Sequence, residues 1–171
     1  QPGSEAAAHR YLSSFLESRH HQYQFHISKP AESRKSCSRL SPYLAWGNLS
    51  VRQVYQAQLE AKRGDGRRRP LNAFASRLRW HCHFIQKFEM EDRMEFESIN
   101  RGYARLEKTH IPERVKAWKS GETGFPMVDA CMRCLQATGY INFRMRAMLV
   151  SFLTHHLWQP WQAGADHLAR L

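Results

Sequence analysis

The sequence predicts an all-α fold. Apolar residues recur at helical spacing in several segments of the 171-residue chain, and strand-like alternation is weak throughout. Residues that begin or end helices stand at the edges of these segments, with Ser4 and Ser50 before two of them and Gly139 after a third. A chain of this length can form one domain with its own core, so we expect residues 1–171 to form a multi-helix domain with connections of varied length.

The first helix is predicted from Ser4 to about Tyr23, because Ser4 can cap it and its apolar residues share one face. Residues 28–36 are rich in Lys, Arg, Ser and Pro and predict a loop. Residues 37–44 (CSRLSPYL) form a polar loop that opens a further helix. Such a loop is either an ordinary capped helix start or an anion site, since it offers N–H groups, two hydroxyls and an arginine.

Ser50 is predicted to cap a helix that ends in a basic turn at residues 62–70 (KRGDGRRRP). This turn is predicted to be a solvated loop that is able to contact phosphate. The longest helix is predicted over residues 71–91. Its predicted core side consists of Phe74, Leu78, Ile85 and Phe88.

Two groupings resemble metal or redox motifs. Residues 81–83 (His-Cys-His) diverge by about 100° per position on a helix, so they cannot converge on one ion and we predict no metal site. Cys131 and Cys134 form a CxxC inside a predicted helix, whereas redox dithiols lie at a helix start after a strand. This placement favours a structural role for both cysteines.

Residues 121–153 (GETGFPMVDACMRCLQATGYINFRMRAMLVSFL) predict two helices that form one wall of a site. Pro126 suits the first position of a helix, and Gly139 suits the left-handed residue that ends it. Arg144 and Arg146 are embedded in the second, otherwise apolar helix. A buried guanidinium needs an anionic partner, which is either a protein carboxylate or a phosphate-bearing ligand.

The chain is strongly basic, with 26 Lys and Arg against 15 Asp and Glu and a net charge of +11. This balance is typical of a nucleic-acid binder or of a generic basic surface. No apolar run reaches 18 residues, so no transmembrane helix or membrane contact is expected. The four scattered cysteines indicate reduced thiols, and hence an intracellular, cytoplasmic protein. Gln1 in place of an initiating Met suggests a fragment.

Two segments together resemble the flavin-binding domain of the photolyase/cryptochrome family. One family segment reads G-x-TG-[YF]-P-x-VDA-x-MR-x-L-x-x-TG-[WY], followed by an Arg-x-Arg helix. The matching residues are Gly121, Thr123, Gly124, Phe125, Pro126, Val128, Asp129, Ala130, Met132, Arg133, Leu135, Thr138, Gly139, Tyr140, Arg144 and Arg146. The other reads T-S-x-LSPYL-x-x-G-x-LS-x-R. It is matched by Ser38, Leu40, Ser41, Pro42, Tyr43, Leu44, Gly47, Leu49, Ser50 and Arg52.

The resemblance implies FAD as the cofactor. In the family, the segment that corresponds to residues 37–44 holds the FAD diphosphate and ribityl chain. Cys37 stands where Thr is usual, and a thiol is a poor hydrogen-bond donor, so one phosphate contact is expected to be lost or to pass to the backbone. The implied cofactor-binding residues are Tyr23, Cys37, Ser38, Arg39, Leu40, Ser41, His81, Arg144 and Arg146.

The resemblance also implies a pocket for damaged DNA. The family helix that runs between flavin and substrate reads E-L-x-W-R-[ED]-F. Here Arg77 replaces the usual acid and His81 the usual arginine. The implied base-pocket residues are Arg77, Trp80, Phe84, Phe143 and Arg144.

Further along the chain, Trp161 and Gly164 match a family L-x-x-x-W-R-x-G segment. In the family, a Trp at this place carries electrons to excited flavin, so Trp161 is either such a residue or an aromatic that packs at a helix end. The family completes its flavin site with a D-x-D-x-A-x-N segment, which we expect beyond Leu171. It also has an N-terminal α/β antenna domain, so we expect an incomplete domain here.

Three functions remain open on the sequence. The first is a photolyase-like lyase, a monomer that uses light-excited FAD to repair pyrimidine dimers in DNA. The second is a cryptochrome-like photoreceptor without repair, because Phe143 and Ala147 stand where repair enzymes of the family often have Asn or a His pair. The third is a basic helical DNA-binding module without flavin, which leaves both segment matches unexplained.

Overall fold

The computed structural model describes residues 2–64 and 68–171, in which helices are joined by loops and turns and no strand occurs. The all-α prediction is confirmed. The chain divides into two compact units, Gln1–Met90 and Glu91–Leu171. Each unit has a hydrophobic core of its own.

The first unit contains six α-helices among its described residues. They are α1 (Glu5–Glu17), α2 (Tyr23–His26), α3 (Pro30–Ser36), α4 (Ser41–Ala45), α5 (Val51–Gly64) and α6 (Arg68–Met90). Its core brings together side chains from α1, α2, α5 and α6 and from the segments around α4. The largest of them are Leu12, Phe15, Tyr23, Leu40, Tyr43, Leu49, Val54, Phe74 and Leu78.

Both predicted serine caps are confirmed. The Oγ of Ser4 accepts a hydrogen bond from the Ala7 N–H at 3.0 Å. The Ser50 Oγ accepts from the Gln53 N–H at 3.1 Å, and the Gln53 Oε1 accepts from the Ser50 N–H at 2.8 Å. The second arrangement is a capping box, which satisfies two N–H groups that the helix itself leaves unpaired.

Three details of the first unit differ from prediction. The first helix ends at Glu17 rather than near Tyr23, because Ser18 leaves the helical conformation and a 3-10 turn follows. Residues 28–36 are not a loop throughout, since α3 starts at Pro30, whose fixed φ and missing N–H suit a first helical position. In the predicted basic turn, residues 65–67 lie outside the described residues.

The predicted core side of α6 is only half right. Phe74 and Leu78 are buried, whereas Ile85 and Phe88 are 49% and 43% exposed. Helical spacing identified the apolar stripe correctly, but it does not say how far along a 23-residue helix the neighbouring helices reach. The second half of α6 therefore presents apolar side chains at the surface of this chain.

The second unit contains α7 (Pro112–Ser120), α8 (Pro126–Thr138), α9 (Phe143–Ser151) and α10 (Gln162–Arg170). Pro126 begins α8, and Gly139 ends it with a φ of 64°, as predicted. Trp118 is fully buried in the core, and its Nε1 donates to the Leu149 carbonyl at 3.0 Å. The core packs around it with Val115, Val128, Met132, Leu135, Leu149, Phe152, Leu153 and Leu168.

Gly164 is required by this packing. A Cβ at this position would lie 2.4 Å from Leu153 Cδ2 and 3.1 Å from Trp118 Cη2. Both neighbours are fully buried, so neither has free space to move into. The glycine therefore lets α10 approach the core closely.

Candidate functional site

The loop before α4 has the backbone geometry of an anion cradle. Arg39 adopts a left-handed φ of 59°, and Leu40 follows in the right-handed helical region with φ −90° and ψ −10°. Successive left- and right-handed residues turn consecutive N–H groups to one side and form a concave nest for an anion. The N–H groups of Ser38, Leu40 and Ser41 donate to no acceptor within residues 2–64 and 68–171.

Arg19 holds this loop from one face. Its guanidinium donates to the Cys37 carbonyl and, at 3.4 Å, to the Ser38 carbonyl. The same group donates to the Tyr11 carbonyl at 2.7 Å and to the Ser14 Oγ at 3.0 Å, which anchors it to α1. One side chain thus connects the loop to the first helix.

The two faces of the loop have opposite character. In a trans peptide the C=O and the following N–H point in opposite directions. Because the Cys37 and Ser38 carbonyls point at Arg19, the next N–H groups, those of Ser38 and Arg39, point away from it. Arg19 therefore directs donors toward the nest face of the loop.

Cys37 contributes its backbone here, while its side chain is buried. Burial raises the pKa of the Cys37 thiol to about 11, against the opposing charges of Arg19 and Arg39. The group is a neutral thiol near pH 7, and its carbonyl is used by Arg19. A carbonyl cannot donate to a phosphate, so the expectation that one phosphate contact is lost or passes to a backbone N–H stays a prediction.

Tyr23 lies in the core of the first unit. Its ring packs edge-on against Phe15 and Phe74, with centroid distances of 5.5 and 5.8 Å. Only 5% of the residue is exposed. These contacts tie the short helix α2 to α1 and α6.

One face of α6 carries an exposed row of residues predicted to contact DNA. The Arg77 guanidinium lies 5.4 Å from the Trp80 ring centroid, and the Trp80 and Phe84 rings are 5.8 Å apart. Trp80 and Phe84 are each 48% exposed. Positions separated by three or four residues share a helix face, so the structure brings these three side chains together.

His81 lies on the same helix and is half-buried. Its Nδ1 is buried and has no hydrogen-bond partner in the described part of the chain. This nitrogen is therefore available to a group outside the described residues, and the cofactor role of His81 stays a prediction.

In the second unit, the TGFP segment is a structural turn. Asp129 Oδ1 accepts from the Thr123 N–H at 2.8 Å and from the Thr123 Oγ1 at 2.6 Å, and Oδ2 accepts from the Gly124 N–H at 3.0 Å. Burial alone would raise the pKa of Asp129, but these hydrogen bonds outweigh it and hold the pKa below its ordinary value. Asp129 therefore fastens the turn to the start of α8.

The two arginines of α9 differ. Arg146 is half-buried, and its Nη1 donates to the Leu168 carbonyl in the last turn of α10 at 3.1 Å. Burial lowers the pKa of Arg146. Arg144 is exposed, and Phe143 beside it is 67% exposed. The partner of Arg146 in this chain is thus a neutral carbonyl at the negative end of a helix dipole.

Trp161 is half-buried at the N-terminus of α10. The chain before it is fixed by Gln159, whose Oε1 accepts from the Ile111 N–H at 2.7 Å and whose Nε2 donates to the Leu157 carbonyl at 2.9 Å. Gln159 is fully buried. The position of Trp161 is therefore set by a buried amide that sequence reasoning missed.

Comparison with known proteins identifies the family. Residues 74–171, more than half of the chain, match the model of the FAD binding domain of DNA photolyase. The chain belongs to this photolyase FAD-binding family. The predicted resemblance and the predicted cofactor, FAD, are confirmed.

Relatives of two kinds are similar to this photolyase-family chain. A deoxyribodipyrimidine photo-lyase of Halobacterium salinarum is 36% identical over 164 residues, which are 94% of this chain and 34% of that protein. A cryptochrome DASH of Idiomarina loihiensis is 29% identical over 165 residues, which are 96% of this chain and 37% of that protein. The chain thus spans about a third of the length of these curated relatives.

Solved structures share the fold. A Synechocystis sp. PCC6803 cryptochrome superimposes with a TM-score of 0.89 at 28% identity, over 98% of this chain and 35% of that one. A class III photolyase of Agrobacterium tumefaciens gives a TM-score of 0.89 at 27% identity, over 96% of this chain and 34% of that one.

The residues present in this photolyase-family domain fit FAD. The loop at residues 38–41 offers unused N–H groups and two serine hydroxyls, which suit a diphosphate, and His81 offers a buried nitrogen without a partner in the described residues.

Among the helices of residues 2–64 and 68–171, none is both long enough and apolar enough to span a membrane. Sequence reasoning missed Arg19, because nothing in the sequence marks a charged residue just past a helix end as the support of a loop 18 positions away.

Proposed function

We propose that the protein is a photolyase-like flavoenzyme that repairs pyrimidine dimers in DNA. Bound FAD, reduced and excited by blue or near-UV light, supplies the electron that starts splitting of the dimer. The chain's own residues hold the cofactor, receive the flipped bases and exclude water from them. The predicted monomeric state and intracellular location stay predictions.

The observation that supports repair is the exposed row on α6. Arg77, Trp80 and Phe84 offer a guanidinium and two aromatic faces on one side of a rigid helix. Bases that have left the duplex stack on such surfaces, with about 1–3 kcal/mol per stacked base. His81, on the same helix, has a buried nitrogen without a partner in the described residues, so the helix can serve base and cofactor at neighbouring positions.

The loop at residues 38–41 is proposed to hold the FAD diphosphate. Its N–H groups and the Ser38 and Ser41 hydroxyls are the donors, and Arg19 keeps them oriented from the opposite face. Arg146 and Arg144 are proposed as further cofactor contacts, with Arg144 also facing DNA. Trp161 is proposed as an electron relay, which would pass an electron from an external reductant to bound FAD.

A specific observation favours a photoreceptor as the second candidate. Phe143 is 67% exposed, and Ala147 on the next turn of α9 is exposed as well. Neither side chain can donate a hydrogen bond or a proton to a dimer that has gained an electron. A protein that binds FAD and senses light without repair needs no such donor, so this face of α9 agrees with a photoreceptor. FAD-binding family membership argues against the third candidate, a module without flavin.

A repair assay on the intact, FAD-loaded protein tests the proposal. An oligonucleotide with one thymine dimer is incubated with the chemically reduced protein, in light and in the dark, and the remaining dimer is quantified. We expect loss of dimers in light only. No loss in light, with flavin bound and reduced, would favour the photoreceptor.

Trp80→Ala tests the stacking row in a binding titration with the same dimer-containing oligonucleotide, kept in the dark. We expect the dissociation constant for dimer-containing DNA to rise by about tenfold, which corresponds to one stacked base. Trp46→Ala is the matched control, because Trp46 is 85% exposed and lies in the same unit, at the end of α4. Equal effects of the two substitutions would remove Trp80 from the pocket.

A further inference from the structure

A basic pocket lies beside α1 and α3 in the first unit. Its volume is about 300 Å³. Seven residues line it, and five of these carry a positive charge. The seven are Arg10, Tyr11, Ser14, Arg19, Arg34, Lys35 and Arg39.

The charge of the pocket is concentrated and partly desolvated. None of the lining residues is acidic. Burial, together with the charge of Arg39, lowers the pKa of Arg19, while Tyr11 opposes this shift. Like charges repel at short range, and the repulsion grows where water is excluded. An anion in the pocket would offset that repulsion.

Arg19 has capacity left for such an anion. A guanidinium has five N–H groups. In Arg19 four of them serve the Cys37, Ser38 and Tyr11 carbonyls and the Ser14 hydroxyl, all of them neutral acceptors. One N–H on Nη1 remains without an acceptor among the described residues. The half-buried charge is therefore solvated by dipoles and paired with no carboxylate there.

The pocket is distinct from the nest that suits the FAD diphosphate. Arg19 lines the pocket and binds the loop through the Cys37 and Ser38 carbonyls, so the pocket lies on the carbonyl face. The N–H groups of Ser38 and Arg39 point to the other face. One loop thus separates two regions that suit anions.

We propose that this pocket is a second phosphate-binding site of the protein. Arginine forks match phosphate oxygens in pairs, and charge-assisted hydrogen bonds of this kind are the strong ones. The cavity exceeds the size of a bare phosphate, so it admits a phosphate group that is part of a larger compound. That group is a phosphoester of a small molecule or a phosphodiester of DNA.

The test uses the intact protein loaded with FAD, whose own diphosphate then fills the cofactor cradle. Pyrophosphate is titrated into it by isothermal calorimetry. We expect saturable binding, and a dissociation constant raised at least about tenfold in the double variant Arg10→Gln/Arg34→Gln. The control is Arg52→Gln/Arg79→Gln, which removes the same charge from exposed positions on α5 and α6.

Several results would overturn the proposal. These are no saturable binding to the wild type, an equal loss in the control, or an unchanged constant in the pocket variant. Flavin absorbance must also persist in the pocket variant, because loss of FAD together with pyrophosphate binding would make the pocket a part of the cofactor site. Thermal unfolding of both variants checks that they are folded.

A second arm of the experiment identifies the source of the phosphate. The pyrophosphate titration is repeated in the presence of saturating undamaged duplex DNA. If the DNA abolishes the pyrophosphate binding that requires Arg10 and Arg34, the pocket is assigned to a DNA phosphodiester. Binding that persists assigns it to a small phosphate compound. Either result supports phosphate as the bound group.

Discussion

Replacement of Arg19 by lysine tests how the loop at residues 38–41, the proposed site of the FAD diphosphate, is held in place. Lysine keeps the positive charge but has a single nitrogen, which cannot reach the Cys37 and Ser38 carbonyls together with the Tyr11 carbonyl and Ser14 on α1. The loop would lose part of its support on the carbonyl face. Its N–H groups would then spend less time directed toward the nest face.

The size of the effect follows from the contacts. A hydrogen bond to a charged group contributes about 1.5–3 kcal/mol, and two such bonds reach the loop. Because the loop is also held by the buried Leu40, we expect the loss of roughly one bond, a reduction in FAD affinity of about 10- to 100-fold. Riboflavin has no phosphate, so its affinity should change by less than about threefold.

The assay is reconstitution of the intact apoprotein, with flavin fluorescence followed during titration with FAD and, separately, riboflavin. Arg52→Lys is the control, since it makes the same chemical change at an exposed position on α5. Equal weakening of FAD and riboflavin would mean that Arg19 supports the fold in general and not the phosphate loop. Unchanged FAD affinity would refute the idea that Arg19 orients the loop at residues 38–41 for the cofactor.

Three further predictions concern the second unit. Asp129→Asn should lower the free energy of unfolding by about 1–3 kcal/mol at pH 7. Because the folded pKa of Asp129 is depressed, its contribution is present above the unfolded pKa of about 4 and is lost as pH falls below it, so unfolding curves of both proteins should converge in acid. Gly164→Ala should cost about 1–3 kcal/mol by overpacking, measured against Gly3→Ala, where a Cβ meets no atom within 4 Å. Arg146→Met should cost about 1.5–3 kcal/mol in thermal unfolding if the Leu168 carbonyl is its main partner, and a larger loss would indicate a carboxylate partner.

The helix ends of the second unit could be predicted because each depends on one residue with a local physical preference. Pro126 has no N–H to lose at a helix start, and Gly139 accepts a positive φ without strain. The same reasoning placed Ser4 and Ser50 correctly in the first unit. Local chemistry of this kind is readable without knowledge of the tertiary structure.

Contacts between distant residues could not be predicted in the same way. Arg19 reaches Cys37 across 18 positions, and Gln159 reaches Ile111 across 48. Both depend on where the helices pack, which periodicity does not reveal. The exposure of Ile85 and Phe88 was missed for the same reason. The apolar stripe of α6 was predicted correctly, but the sequence does not show which elements pack against it.

The resemblance also mixes two kinds of residue that the structure separates. Asp129, Thr123 and Gly124 form a closed hydrogen-bonded turn, and Gly164 is a packing requirement. These residues make the family recognisable because they determine the backbone path. Ser38, Leu40 and Ser41 instead have N–H groups without an acceptor in the described chain, and these remain available to a ligand.

The core of the first unit connects the loop at residues 38–41 to α6, which carries the proposed stacking row. Leu40, from the middle of the loop, is buried in the same cluster as Phe74 and Leu78 of α6. The ring centroids of Phe74 and Phe15 are 4.7 Å apart. Phe15 belongs to α1, the helix to which Arg19 anchors the loop. A close-packed core of this kind has few alternative arrangements, so loop and helix cannot shift independently. The proposed electron transfer to a flipped base would require a fixed placement of cofactor and substrate, and this shared core gives the loop at residues 38–41 and α6 a common support.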